Sequence, residues 1–153
     1  MISFRKIEEK DRAFIEKVYR STREDELIRT NWTELQKQGF IIMQSIAQEN
    51  DYRNKYPRAS FDIILFRKQP AGRLYLFESE THILIIDISL LPNFQGKNIG
   101  STILKELAGK ARKKNKILSL NVREENRALK LYLRMGFKKI STTNEYIYME
   151  LNS

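Results

Sequence analysis

Between residues 82 and 104 the chain sets an acid, a glycine-bearing turn and a helix start in close succession. His82 to Leu90 is an apolar, β-branched run interrupted by Asp87 and Ser89. Pro92 and Asn93 stop the run, and Gly96 and Gly100 bracket a turn. From Asn98 onward, Ile99, Ile103, Leu104 and Leu107 recur at helical spacing. A strand that feeds a glycine-bearing loop at a helix N-terminus is a ready anion site. The free N–H groups of the Gln95 to Ser101 loop and the helix dipole both favour phosphate. Lys97 and the basic run Lys110-Ala111-Arg112-Lys113-Lys114-Asn115-Lys116 add positive field, although cations near a helix C-terminus also read as a solvated helix end.

Composition narrows the chemistry. At 153 residues the chain is expected to form one domain over 1–153 with a core of its own. With no cysteine there is no thiolate nucleophile, disulfide or cysteine-bound metal, and one histidine argues against a catalytic metal. No apolar run approaches the ~20 residues of a membrane span. The start, MISFRKIEEKDR, has no signal-peptide apolar region, so the cytoplasm is the expected compartment. A net charge of +9 implies an anionic partner: nucleic acid, an acidic protein or a phosphorylated cofactor.

The elements that must position these residues follow from patterning. Ile2 to Ile7 reads as a first strand. Asp11 is a candidate cap for a helix bearing Phe14, Ile15 and Val18. A charged loop follows, with one helical turn around Glu24 to Ile28. Asn31 or Thr33 then caps a second helix whose inward face is expected to hold Leu35, Phe40, Ile42, Met43, Ile46 and Ala47. Residues 50–60 are polar, with Pro57 as a breaker. Phe61 to Arg67, Arg73 to Glu78 and His82 to Leu90 read as a three-strand meander, its first turn at Gln69-Pro70-Ala71-Gly72. A helix from about Asn98 to Lys114 crosses to a parallel strand, Ile117 to Val122. A short helix from Asn126 to Met135, stopped by Gly136, precedes strands Phe137 to Ile140 and Glu145 to Leu151.

Gln95-Gly96-Lys97-Asn98-Ile99-Gly100 resembles the Gln/Arg-x-x-Gly-x-Gly/Ala acyl-CoA motif of the GCN5-related N-acetyltransferases. Asn98 stands where the family usually has glycine. Asparagine tolerates left-handed backbone angles best among the other residues, and its side chain is expected to cap the helix. A second segment, Asn126-Arg127-Ala128-Leu129-Lys130-Leu131-Tyr132 followed by Met135-Gly136-Phe137, resembles the family's Asn…Ala-x-x-Leu-Tyr-x-x-x-Gly-Phe element. The order of elements over the whole chain is also similar.

The resemblance implies an α/β (α+β) fold, a mixed and mostly antiparallel sheet of about six to seven strands flanked by about four helices. It implies an acetyl-CoA-dependent N-acetyltransferase, without metal, acting on a primary amine of a small molecule, amino acid or protein N-terminus by direct attack in a ternary complex. It assigns backbone contacts with the cofactor to Ile88 and Leu90, and further contacts to Gln95, Gly96, Lys97, Asn98, Ile99, Gly100, Ser101 and Asn126. Tyr132 is the implied acid that protonates the departing thiolate. In some relatives an acid at the position of Asp87 takes part, and an Asp bonded to a neighbouring strand or cation is the competing reading. Other relatives carry a Glu where Asn121 stands, and Asn121 cannot act as a base. Glu24, Trp32 and Tyr146 are the implied acceptor contacts, with a core anchor the competing role for Trp32. An acyl-CoA-binding regulator without turnover stays open, as does a basic nucleic-acid-binding domain. No nucleic-acid-binding signature accompanies the charge, which disfavours the latter. A homodimer is compatible with the sequence.

Overall fold

A computed structural model describes residues 1–152. The elements, in chain order, are β1 (Ile2–Lys6), α1 (Arg12–Ser21), α2 (Glu24–Ile28), α3 (Glu34–Lys55), β2 (Ser60–Phe66), β3 (Gln69–Glu78) and β4 (His82–Leu90), then α4 (Ile99–Lys113), β5 (Ile117–Arg123), α5 (Ala128–Met135), β6 (Lys138–Thr143) and β7 (Tyr146–Leu151). Seven strands hydrogen-bond in the order β1-β2-β3-β4-β5-β7-β6. The pairs β1–β2, β5–β7 and β6–β7 are antiparallel, and β4–β5 is parallel. Five helices stand against the expected four, because the single turn around Glu24 closes as α2. Contacts divide the chain into two compact units, 1–75 with 88–95 and 76–87 with 96–153.

In the first unit, α1 and α3 carry the helical core. Ile41 of α3 joins Tyr19 and Leu27, and Phe40 packs against them. The inward face of α3 differs from the one expected. Leu35, Ile42, Met43 and Ile46 are exposed, while Ile41 and Ser45 are buried. The residues from 40 to 43 are all apolar, so the pattern fits two registers, and the packing of Tyr19 and Leu27 selects the one through Ile41. Thr33 supplies the predicted cap, its hydroxyl accepting from the Gln36 amide while the Gln36 side chain accepts from the Thr33 amide. The helix also runs further than expected, to Lys55. Its polar last turns hold because Tyr52 meets Tyr75 edge-on at 5.9 Å and Arg53 lies over the Phe61 ring.

Two loop expectations change. Asp11 does not cap α1 with its side chain. Its carboxylate instead takes both guanidinium nitrogens of Arg5 at 2.8 Å and the Glu8 amide, which holds it well below the usual carboxylate range, at about 2. The β2–β3 turn is not at residues 69–72 but at Arg67 and Lys68, both with positive φ, the backbone a two-residue hairpin demands. Gly72 lies inside β3 for another reason: a Cβ there would collide with the Ser89 carbonyl oxygen.

In the second unit, α4 buries Ile99, Ile103, Leu104, Leu107 and Ala111. The strands β5 and β7 add Leu118, Leu120, Ile147 and Met149 to the buried set. Gly136, at φ 105°, ends α5 as predicted. The strand β6 begins one residue and ends three residues later than expected, and β7 begins one residue later and ends at Leu151 as expected, because the turn falls at Asn144 with φ 51°.

Candidate active site

The first unit holds Ile88, Leu90 and Gln95. Ile88 and Leu90 are half-buried at the end of β4. The Gln95 side-chain amide donates to the Leu90 carbonyl at 2.9 Å. This bond escapes sequence reasoning, since nothing local ties a turn glutamine to a strand end five residues back. It gives Gln95 a bracing role and occupies one lone pair of the Leu90 carbonyl.

The turn that follows is shaped by two positive-φ residues, Gly96 at 74° and Asn98 at 63°. The predicted left-handed backbone at Asn98 is present, whereas the predicted side-chain cap is not. The Asn98 carbonyl instead accepts from the Ser101 hydroxyl at 3.2 Å and from the Thr102 hydroxyl at 2.7 Å. The first N–H groups of α4 are therefore left without a side-chain cap from Asn98, and they lie at the positive end of a 15-residue helix. Lys97 is exposed beside them, Gly100 and Ser101 are half-buried, and the Ile99 side chain is buried. Such an end fits a pyrophosphate, which needs N–H donors and no competing oxygen.

Tyr132 and Asp87 come together in the second unit. Tyr132 projects from α5 and is buried, its ring 5.6 Å from that of Phe137. Loss of solvent and the charge of Asp87 push its phenol up to about 12. Asp87 is half-buried near the end of β4 and has interaction partners of its own. The β4–β5 ladder runs from His82–Ile117 to Ile85–Leu120, so Asp87 lies two residues beyond its last pair. Asn121 is exposed on β5, paired in register with Tyr148. Asn126 has a structural task, its side-chain oxygen accepting from the Ala128 amide at the start of α5.

The acceptor residues are placed as follows. Glu24 is taken by Arg20, which also holds Glu34 and Gln38. Trp32 is 38% exposed and tilted against Phe40 at 5.1 Å, which anchors one side of its ring. Both belong to the first unit. Tyr146, in the second, is exposed and receives a long bond from Arg123.

The comparisons fit this geometry. Over 76 residues the chain is 37% identical to the N-alpha-acetyltransferase RimI of Mycobacterium tuberculosis, a match that spans 49% of this chain and 44% of that protein. The PaiA N-acetyltransferase of Thermoplasma acidophilum, solved with coenzyme A, superposes with a TM-score of 0.70 at 20% identity, covering 100% of this chain and 99% of its own. A GNAT acetyltransferase of Elizabethkingia anophelis with acetyl-CoA bound gives a TM-score of 0.63 at 15% identity, covering 99% and 98%. Among the described residues no helix is long and apolar enough to cross a membrane. Residues 24–137 match the Acetyltransferase (GNAT) family, three quarters of the sequence, and the chain belongs to that family.

Proposed function

We propose that the chain transfers an acetyl group from acetyl-CoA to a primary amine by direct attack in a ternary complex. The observation that carries this reading is the neutral, buried Tyr132 phenol beside the charge of Asp87. Bound acetyl-CoA supplies a thioester, whose carbonyl carbon the amine attacks. The C–N bond forms, the C–S bond breaks, and Tyr132 gives its proton to the leaving sulfur. A phenol at about 12 is a weak donor toward a free thiolate near ~8.5. The same desolvation and the same Asp87 field raise a thiol brought to the phenol, which narrows the gap. Asp87 takes the proton released by the ammonium, directly or through water. The amide donors from Gly96 to Ser101 hold the pyrophosphate.

For the acceptor, the partial likeness to RimI makes a protein N-terminal amine the first class to assay, ahead of small amines. One observation favours a second reading. Asn121 puts an amide on β5 where a base would serve, which suits an acyl-CoA-binding protein without turnover.

Release of free thiol over a panel of amines and peptide N-termini separates the two readings. We expect turnover with at least one class. Tyr132→Phe should lower kcat by roughly 10²- to 10⁴-fold while acetyl-CoA affinity changes less than about threefold, and Asp87→Asn should lower kcat with a similarly small change in acetyl-CoA affinity. Equal kcat in Tyr132→Phe excludes the phenol as acid. Stabilisation by acetyl-CoA without thiol release from any amine supports the non-catalytic reading.

A further inference from the structure

Helix α3 has two apolar faces, and the fold uses one. Ile41 and Ser45 turn inward, with Phe40 against the cluster of Tyr19, Leu27 and Ile41. On the other side Leu35, Ile42, Met43 and Ile46 are 84%, 38%, 62% and 38% exposed. Gly39 and Ala47 are exposed between and beside them, and Gln36 is the one polar residue at the exposed positions from 35 to 47. No exposed charge lies on this face between 35 and 47, although 31% of the chain is charged, and Arg53, one heptad past Ile46, bounds it. The four large side chains leave roughly 450 Å² uncovered, as much as the largest apolar patch of a typical monomer.

We propose that this face pairs with the same face of a second copy, the two α3 helices running antiparallel about a two-fold axis. The positions 35, 39, 42 and 46 alternate spacings of four and three, the repeat of a helix that packs along another helix. Open space surrounds the place where a Cβ of Gly39 would stand, so a side chain from outside can enter there. With the axis midway between Gly39 and Ile42, Ile42 of each copy fills the hollow at Gly39 of the other, and Leu35 lies beside Ile46. Large meets small at the centre, and the contact is self-complementary, as a two-fold interface must be. Like charges do not meet, which matters for a chain of net charge +9. Lys37 is half-buried off this face, and Glu49 is held by Arg73 and Tyr75. Burying the patch on both copies covers on the order of 900 Å², close to the ~1,000 Å² that a specific interface needs, with Gln36 and Ala47 at the rim. The edge strand β6 offers a poorer route. It is exposed throughout, carries Lys138 and Lys139, and is broken by a register shift between Lys139 and Ser141.

Sedimentation and light scattering from about 1 to 200 μM test the proposal, a span chosen for the modest affinity expected of an interface this small. The native chain should pass from monomer to dimer. Ile42→Lys combined with Met43→Lys should raise the dissociation constant at least tenfold, with an unchanged circular dichroism spectrum and unchanged stabilisation by acetyl-CoA. Because the chain has no cysteine, Ile42→Cys with a short bis-maleimide should give a cross-linked dimer, and Ile140→Cys should not. A chain that stays monomeric, a dimer that survives the double substitution, preferential linkage at Ile140, or flotation of the native chain with phosphatidylglycerol vesicles each overturns it.

Discussion

Helices α3 and α4 are the two long helices of the molecule, and they solve opposite problems. In α4 the apolar residues Ile99, Ile103, Leu104, Leu107 and Ala111 form one stripe, and all of it is buried. Lys105, Glu106, Lys110, Arg112 and Lys113 take the other side and are exposed. In α3 apolar residues occupy both sides, and only the side through Ile41 is buried. A helix with a single stripe has one way to dock. A helix with two stripes leaves one uncovered, and the choice between them is made by what the neighbouring elements present.

The largest expected effect tests this contrast with one substitution at two positions. Leu104 is 1% exposed and Leu35 is 84% exposed. Leu104→Ala should cost roughly 2–5 kcal/mol, through lost burial and the cavity left behind. Leu35→Ala should change stability by less than about 0.5 kcal/mol at concentrations too low for self-association. Urea denaturation read by circular dichroism measures both. Similar costs at the two positions would mean that the outer face of α3 is packed within the monomer.

The same contrast explains what the sequence made legible. The start, end and inward face of α4 follow from local rules, since one stripe, a glycine-bearing turn and a basic last turn agree. So do β4, and α5 with its Gly136 stop. The inward face of α3 depends on Tyr19 and Leu27, far from it in sequence, and its extension to Lys55 on Tyr75 and Phe61. Periodicity carries no such information. In the sequence Pro70 and Gly72 outweigh Arg67 and Lys68 as turn formers, yet the backbone puts the basic pair at positive φ. At the candidate site, the turn of Gly96 and Asn98 is local and therefore readable. The bond from Gln95 to Leu90 and the field of Asp87 on Tyr132 arise only once the chain has folded.

The helix starts sharpen the comparison at a smaller scale. Helix α4 begins from a backbone held left-handed at Asn98, with no cap from its side chain, so Asn98→Ala should cost about 1–2 kcal/mol. Asn98→Gly should be neutral or stabilising by a few tenths of a kcal/mol, since glycine takes this conformation freely. Helix α3 begins from a reciprocal side-chain cap, so Thr33→Ala should cost about 1 kcal/mol and Thr33→Gly less. Glycine thus helps or spares both sites, while alanine hurts each for a different reason. A large loss in Asn98→Gly would show that the amide side chain supports the turn after all.

The smallest effect concerns the carboxylates at the helix ends. Glu78 receives Lys114 at 2.9 Å and Lys116 at 2.7 Å, just past the end of α4, and these bonds bring it from 4.5 to about 2. A carboxyl lowered on folding stabilises the folded state above its ordinary value. That contribution is lost as the pH falls through about 2. Its acid limb therefore lies between those two values. Glu78 is a third exposed, so solvent screens the pair and the contribution stays under ~1 kcal/mol. Glu34, at the start of α3, is also lowered, by Arg20 at 2.6 Å, but its side chain is 72% exposed. Glu78→Gln should flatten the stability curve between pH 4.5 and 2 in low salt, and 1 M NaCl should erase most of the difference by shortening the screening length to ~3 Å. Glu34→Gln should leave that limb nearly as it is. If the two substitutions act alike, exposure does not separate the ends of α3 and α4, and the contrast between the helices rests on their apolar faces alone.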